Sequence, residues 1–152
     1  MRGQKSERPI AVSVTCSKRN LSRIDSATAL VGMTDITADP RFIRGVALFN
    51  DGEYLEASDL FEDLFFEGVR DEPEFIRIFL QFSVGIHHAQ TGQWRPAVER
   101  IEEGLRLADS NGDDHGIDLV ALASGMRMGA RNLRHKIKPE WPKIEIRPRF
   151  RL

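Results

Sequence analysis

Asp59, Glu62, Arg77, Gln81 and His88 are the residues of this 152-residue chain whose types and spacing could do chemistry. Asp59 and Glu62 stand one helical turn apart, and Arg77, Gln81, Gly85 and His88 recur at intervals of three and four, close to one line along a second helix. Two carboxylates, a guanidinium, a carboxamide and an imidazole can pin two helices in register through hydrogen bonds and ion pairs, because a charge taken out of water needs a partner. That structural reading comes first. The second is a pocket for a small ligand, with Gly85 leaving room for it. Metal binding and catalysis rank last. Dinuclear carboxylate bundles use paired Glu-x-x-His motifs, which are absent, and a general acid or base needs a tuned pKa in a cleft. No catalytic residue, metal ligand or cofactor is therefore assigned. His87 and His88 project about 100° apart on a helix, so they cannot share one ion without strain; His88 is the one to test, and His87 is expected to be packed.

The elements that must position these residues are helices. Asp39-Pro40 is an N-cap followed by proline at the first helical position, and a first helix runs from there to about Asn50. A second covers about 53–67, stopped by Gly68. Asp71-Glu72-Pro73 opens a third, of about 73–91, which is apolar on more than one side and is therefore the central one. A fourth runs from about Trp94 to Asp109, and a fifth over about 116–137, with Gly125 and Gly129 permitting close backbone approach. Pro139, Pro142 and Pro148 prevent further long helix. Residues 1–36 read as an extended or poorly ordered leader, 37–138 as the helical domain, and 139–152 as an extended basic tail able to dock as a strand-like arm. The fold class is all-α, with antiparallel helix pairs packed around the third helix.

Helix pairs are also indicated by an internal repeat. Gly52-Glu-Tyr-Leu-Glu-Ala-Ser-Asp-Leu-Phe-Glu-Asp-Leu-Phe65 lies over Gly92-Gln-Trp-Arg-Pro-Ala-Val-Glu-Arg-Ile-Glu-Glu-Gly-Leu105, forty residues on. Each copy places a chain reversal at glycine, then an aromatic (Tyr54, Trp94), a small residue (Ala57, Ala97) and a large apolar one (Phe61, Ile101). This pattern predicts a helix packed on its predecessor, with the two aromatics sharing one turn-closing role. Two copies at a period of forty do not make a tetratricopeptide superhelix. The second helix is expected to bury Tyr54, Ala57, Ser58, Phe61 and Phe65, with Leu55, Asp59, Glu62 and Phe66 on the neighbouring stripe. Antiparallel packing of helices two and three then brings Asp59 and Glu62 opposite Arg77 and Gln81, or opposite His88.

Phe49-Asn-Asp-Gly-Glu-Tyr-Leu-Glu-Ala-Ser-Asp-Leu-Phe-Glu-Asp-Leu-Phe65, with Leu80-Gln81, Ile86-His-His88 and Gly92-Gln-Trp-Arg-Pro-Ala-Val98, resembles the domain of unknown function 309 family over about residues 41–108. Its members are small all-helical proteins of bacteria and archaea. The family signature His-Glu-x-x-Glu-x-x-Trp corresponds here to Ser58-Asp59-x-x-Glu62-x-x-Phe65, so one glutamate is kept while the histidine and tryptophan are replaced. Gln81 retains a family glutamine, and Arg77 stands where an earlier one falls. The resemblance implies the fold and leaves the activity open, including loss of one that relatives keep.

Charge and composition limit the partners. A chain of this length buries roughly 70% of its unfolded surface. Cys16 is its only cysteine, which excludes an internal disulfide and a cysteine-rich metal site. No apolar run approaches the roughly 18 residues that a membrane span needs, and a cytoplasmic location is the default expectation. Residues 1–24 carry six Lys/Arg and one acid, residues 127–152 nine and two, and the intervening body seven against twenty. Basic ends on an acidic body are expected to contact that body, in the same chain or a neighbouring subunit, rather than nucleic acid, whose phosphates the body repels. Trp141 in the basic tail is either an exposed anchor for a partner or folded onto the fifth helix. The expected function is a non-enzymatic interaction or scaffold domain that self-associates, its protein or small-molecule partner unidentified. The alternative is a ligand-binding protein, or an enzyme, using the cluster between helices two and three.

Overall fold

Asp39 caps the first long helix through a hydrogen bond that its carboxylate accepts from the Arg41 amide at 2.9 Å, with Pro40 at the first helical position. From this start the computed structural model, which describes residues 35–68, 72–112 and 114–147, follows the predicted order of elements. A 3-10 turn at Ile36–Ala38 precedes α1 Pro40–Asn50, α2 Tyr54–Glu67, α3 Pro73–Gln90, α4 Trp94–Asp109 and α5 Leu119–Arg134. The described residues contain no strand, only a single antiparallel bridge between Ile117 and Ile146. The fold is all-α, and each helix packs on the one before it. No helix among the described residues is long and apolar enough to cross a membrane. Of the predicted leader, all but Asp35 and Ile36 lies outside the described residues.

Central placement of α3 follows from its sequence. Phe75, Ile76, Ile78, Phe79, Phe82 and Ile86 are all fully or almost fully buried. Phe79 is the hub, with Phe75, Phe42 and Phe61 at ring-centroid distances of 5.0, 5.3 and 5.8 Å. Glycine at +63° ends α2 at Gly68 as predicted. The fifth helix is shorter at both ends than its pattern suggests. His115 and Gly116 hold φ of 52° and 86°, left-handed values that a helix cannot include. Asp118 instead caps α5, accepting from the Ala121 amide at 3.0 Å. Beyond α5, Lys136 is again left-handed, at 59°.

Two expectations about α2 and α4 need correction. The aromatics of the repeat do not share one role. Tyr54 is buried and meets Phe49 edge-on at 5.0 Å, whereas Trp94 is 42% exposed, with the Arg95 guanidinium 5.3 Å from its ring. The first chain reversal faces the phenylalanine core between α1 and α3, and the second faces solvent. On α2, Leu64 joins the buried face of Tyr54, Ala57, Ser58 and Phe61, while Phe65, expected there, is only half-buried against the core.

The tail docks across the domain. Asn50, the last residue of α1, donates to the Ile144 carbonyl at 2.9 Å and accepts from the Ile144 amide at 2.7 Å. Lys143 donates to the Asn50 carbonyl at 2.8 Å, and the Arg147 amide donates to the Gly116 carbonyl at 2.7 Å. Ile144 is thereby buried. Trp141 lies against Gly129 and Pro142 against Gly125, so the two glycines of α5 receive tail side chains. Arg147 reaches Asp114 at 3.4 Å and Asp118 at 4.0 Å. Through Arg147 the basic tail thus contacts its own acidic body.

Candidate functional site

The polar stripe of α3 faces α4, not α2. Arg77 approaches Glu103 at 3.8 Å and Glu74 on its own helix at 3.9 Å. Gln81, one turn on, is buried and accepts from the Arg100 guanidinium at 3.3 Å. At Gly85, a further turn on, an added methyl would lie 2.8 Å from Ile101 and 3.2 Å from the Ala97 carbonyl. Gly104 answers from α4, where the same addition would meet Phe82 at 2.6 Å and Gln81 at 3.3 Å. The order 77 to 103, 81 to 100 and 104, 85 to 97 and 101 is that of two antiparallel helices in close approach. The space that the sequence offers at Gly85 is therefore filled by α4. The reason is the repeat itself, which sets Ala97 and Ile101 at the helix crossing just where Gly85 allows it.

Asp59 and Glu62 turn away from this contact. Both are exposed, and neither has a hydrogen bond or ion pair among the described residues. The expected juxtaposition with Arg77, Gln81 or His88 does not form. With Ala57, Phe61 and Leu64 at the centre of the buried face, the stripe of Leu55, Asp59, Glu62 and Phe66 points outward; Leu55 is 46% and Phe66 74% exposed. Ser58, in the place of the family histidine, is buried and donates to the Leu55 carbonyl at 2.6 Å. His87 and His88 are both half-buried at the end of α3, their rings 6.4 Å apart. Trp141 is half-buried against α5, the folded-back placement of the two considered.

One buried constellation escapes sequence reading. His115, from the loop between α4 and α5, is only 5% exposed. Its Nε2 lies 2.9 Å from the Glu72 carboxylate and its Nδ1 3.9 Å from Asp35, and the ring sits 4.4 Å from that of Phe75. Glu72 was expected only to start α3; it makes no capping hydrogen bond and faces His115 instead. The one signal in the sequence is a histidine before Gly116 in a loop, which equally describes an exposed residue. In the fold, His115 ties the α4–α5 loop to the starts of α3 and of the 3-10 turn. Beside that loop lies an open cleft of about 650 Å³, where Arg127 grips both oxygens of Asp109 at 2.7 and 2.8 Å, and Arg147 the carboxylate of Asp114.

The shifts of Glu103 and Tyr54 have clear physical causes. The Glu103 carboxyl is held below its ordinary value, first by the hydrogen bond from Arg106, which outweighs the opposing effect of burial, and then by the charges of Arg106 and Arg77. The Tyr54 phenol is pushed up by burial alone. Neither belongs to a catalytic arrangement. Among the described residues no group of three or more His, Cys, Asp or Glu side chains is placed to hold a metal ion.

The order of α1 to α4, the Ser58–Glu62 register and the buried Gln81 coincide with the segment that carries the family motifs. Residues 42–99 match the model of the domain of unknown function DUF309. The resemblance seen in the motifs is thus shown over this segment. The match to DUF309 takes in most of α1, all of α2 and α3, and the first turns of α4, while α5 and the tail lie beyond it. Its description assigns no activity. No curated protein and no solved structure matches the chain.

Proposed function

We propose that the protein is a non-enzymatic helical interaction domain that associates with copies of itself. The observation that carries this reading is the display of large apolar side chains on two helices whose own charges are of a single sign. On α2, Leu55 and Phe66 are exposed at 46% and 74%, on a helix that carries five acids and no base. On α5, Val120 and Met128 are exposed at 83% and 51%, on a helix that carries three arginines and no acid. Scattered surface apolar residues are ordinary. Set on helices whose own charges are of one sign, they resemble the anchors and rims of protein interfaces.

On this reading Arg77 and Gln81 set the register of α3 on α4, and Asp59 and Glu62 belong to the outward face. His88 closes the end of α3, and Trp141 serves association indirectly, by seating the tail beside the outer face of α5. Sedimentation velocity of the purified full chain, over about a hundredfold range of concentration, tests the proposal. Growth of the sedimentation coefficient with concentration is expected. A monomer throughout would sink it. A thermal-shift panel of divalent metals, nucleotides and metabolites supplies the counter-test, since ligand at about 100 times its Kd adds about 2.7 kcal/mol. A shift in the wild type that Glu62→Ala abolishes would make the outward acids a ligand site instead.

A further inference from the structure

One outward face offers an exposed aromatic among acids, the other a groove among arginines. The outer side of α5 carries a shallow groove of about 380 Å³ lined by Ser124, Arg127, Met128, Arg131 and Arg134. Arg127 is held by Asp109, and Arg134 by Glu102, so two guanidinium groups are fixed as its walls. Arg131 between them has no ion pair among the described residues. Tail contacts with α5 fall at Gly125 and Gly129, beside Met128, which lines both this groove and the neighbouring one against Trp141 and Pro142 and stays half exposed. On α2, Phe66 projects with three-quarters of its surface in solvent, beside Asp59, Glu62 and Asp63, all of them exposed.

We infer that copies of this chain associate head to tail, Phe66 of one copy seating in the Arg127–Met128–Arg131 groove of the next. An aromatic ring over guanidinium groups and a thioether gains both cation–π and sulfur–aromatic contact, and Glu62 or Asp59 supplies Arg131 with the carboxylate it lacks. The charges select this arrangement. A symmetric dimer through α2 would set its outward acids against one another, of which Glu67 alone is paired among the described residues, to Arg41, and one through α5 would oppose Arg131 to its own copy; the heterologous pairing joins opposite signs. Such contacts propagate into a ring or a filament according to the angle between copies.

The inference rests on the self-association proposed above, and reciprocal variants of the full chain separate the two. Phe66→Ser removes the knob and keeps the groove; Arg131→Glu spoils the groove and keeps the knob. Both positions are exposed, so each variant should melt like the wild type. Alone, each is expected to associate at least about tenfold more weakly than the wild type, as truncation of an interface anchor does. Mixed in equal amounts, they should form dimers and nothing larger, because each dimer retains one intact knob–groove contact and ends in two spoiled faces. Wild-type assembly should also weaken between low and high salt. If both variants assemble like the wild type, self-association stands and this geometry falls. If neither assembles alone and the mixture stays monomeric, the pairing is not head to tail. If the wild type never associates, or if the α5 groove binds a short RNA that Arg131→Glu releases while assembly is unchanged, the inference is wrong.

Discussion

Gly85 illustrates how one residue can be read in two ways. A glycine on a polar stripe beside Gln81 and His88 offers room for a ligand, and it equally offers room for a neighbouring backbone. Ile101 and the Ala97 carbonyl occupy that room. A methyl group there must displace a carbonyl as well as a side chain, and packed helices yield little. Gly85→Ala is expected to cost about 1–3 kcal/mol, the usual range for overpacking. Gly112→Ala, where the added methyl meets nothing within 4 Å, should stay within about 0.5 kcal/mol of the wild type. Urea denaturation of the two variants side by side checks both values. Equal stabilities would mean that α4 sits farther from α3 than described. Buried Tyr54 gives a pH dependence at the same scale. Its phenol is raised above the ordinary 10.0 by burial, so folding favours the neutral form. The resulting contribution is complete below pH 10 and is lost as pH rises through the folded value. Tyr54→Phe should therefore flatten the alkaline limb of the stability–pH curve, and an unchanged limb would place the titration elsewhere.

At the scale of elements, the tail is held by one side chain more than by any run of structure. Asn50 makes two hydrogen bonds to Ile144, and the Lys143 ammonium caps its carbonyl. Asn50→Ala removes the two side-chain bonds and leaves the carbonyl and amide of buried Ile144 without those partners. A loss of about 1–3 kcal/mol is expected, together with faster exchange of the Ile144 amide. Retained protection at Ile144 would show that Trp141 and Pro142 suffice to hold the tail. Helix boundaries obey equally local rules. Asp39-Pro40 and Gly68 act where the sequence puts them, because caps and left-handed glycines work within a single turn. The start of α5 falls later than its pattern because Gly116, inside the expected span, holds a φ of 86° that a helix cannot include. Just before it, His115 at φ 52° faces Glu72, forty-three positions away in the chain.

For the whole molecule, segregation of charge along the chain becomes segregation in space. The acidic run lies outward on α2, and the basic run lies on α5 and the tail, where Arg127, Arg134 and Arg147 each take a carboxylate from α4 or from the loop that follows it. Part of the positive charge is thus spent within the fold, and Arg131 is left facing outward. That residue balance is what makes association between copies a concrete expectation.

Sequence alone determined the five helices, their order, the central position of α3 and the family to which residues 42–99 match. These follow from periodicity, caps and glycine stops, which act over a few residues and need no knowledge of neighbours. It did not determine which helix each stripe would face. Arg77, Gln81 and Gly85 fit α2 or α4 equally well on spacing, and a rotation of α2 by less than one residue's arc decides whether Asp59 and Glu62 point inward or into solvent. Tertiary packing made that choice. Glycines at 85 and 104 let α3 and α4 approach closely, Leu64 took the fully buried place with Phe65 half-buried at the core's edge, and the acids went outward because no partner waited for them inside. The pairing of His115 with Glu72 was invisible for the same reason: nothing local records a contact made across the fold.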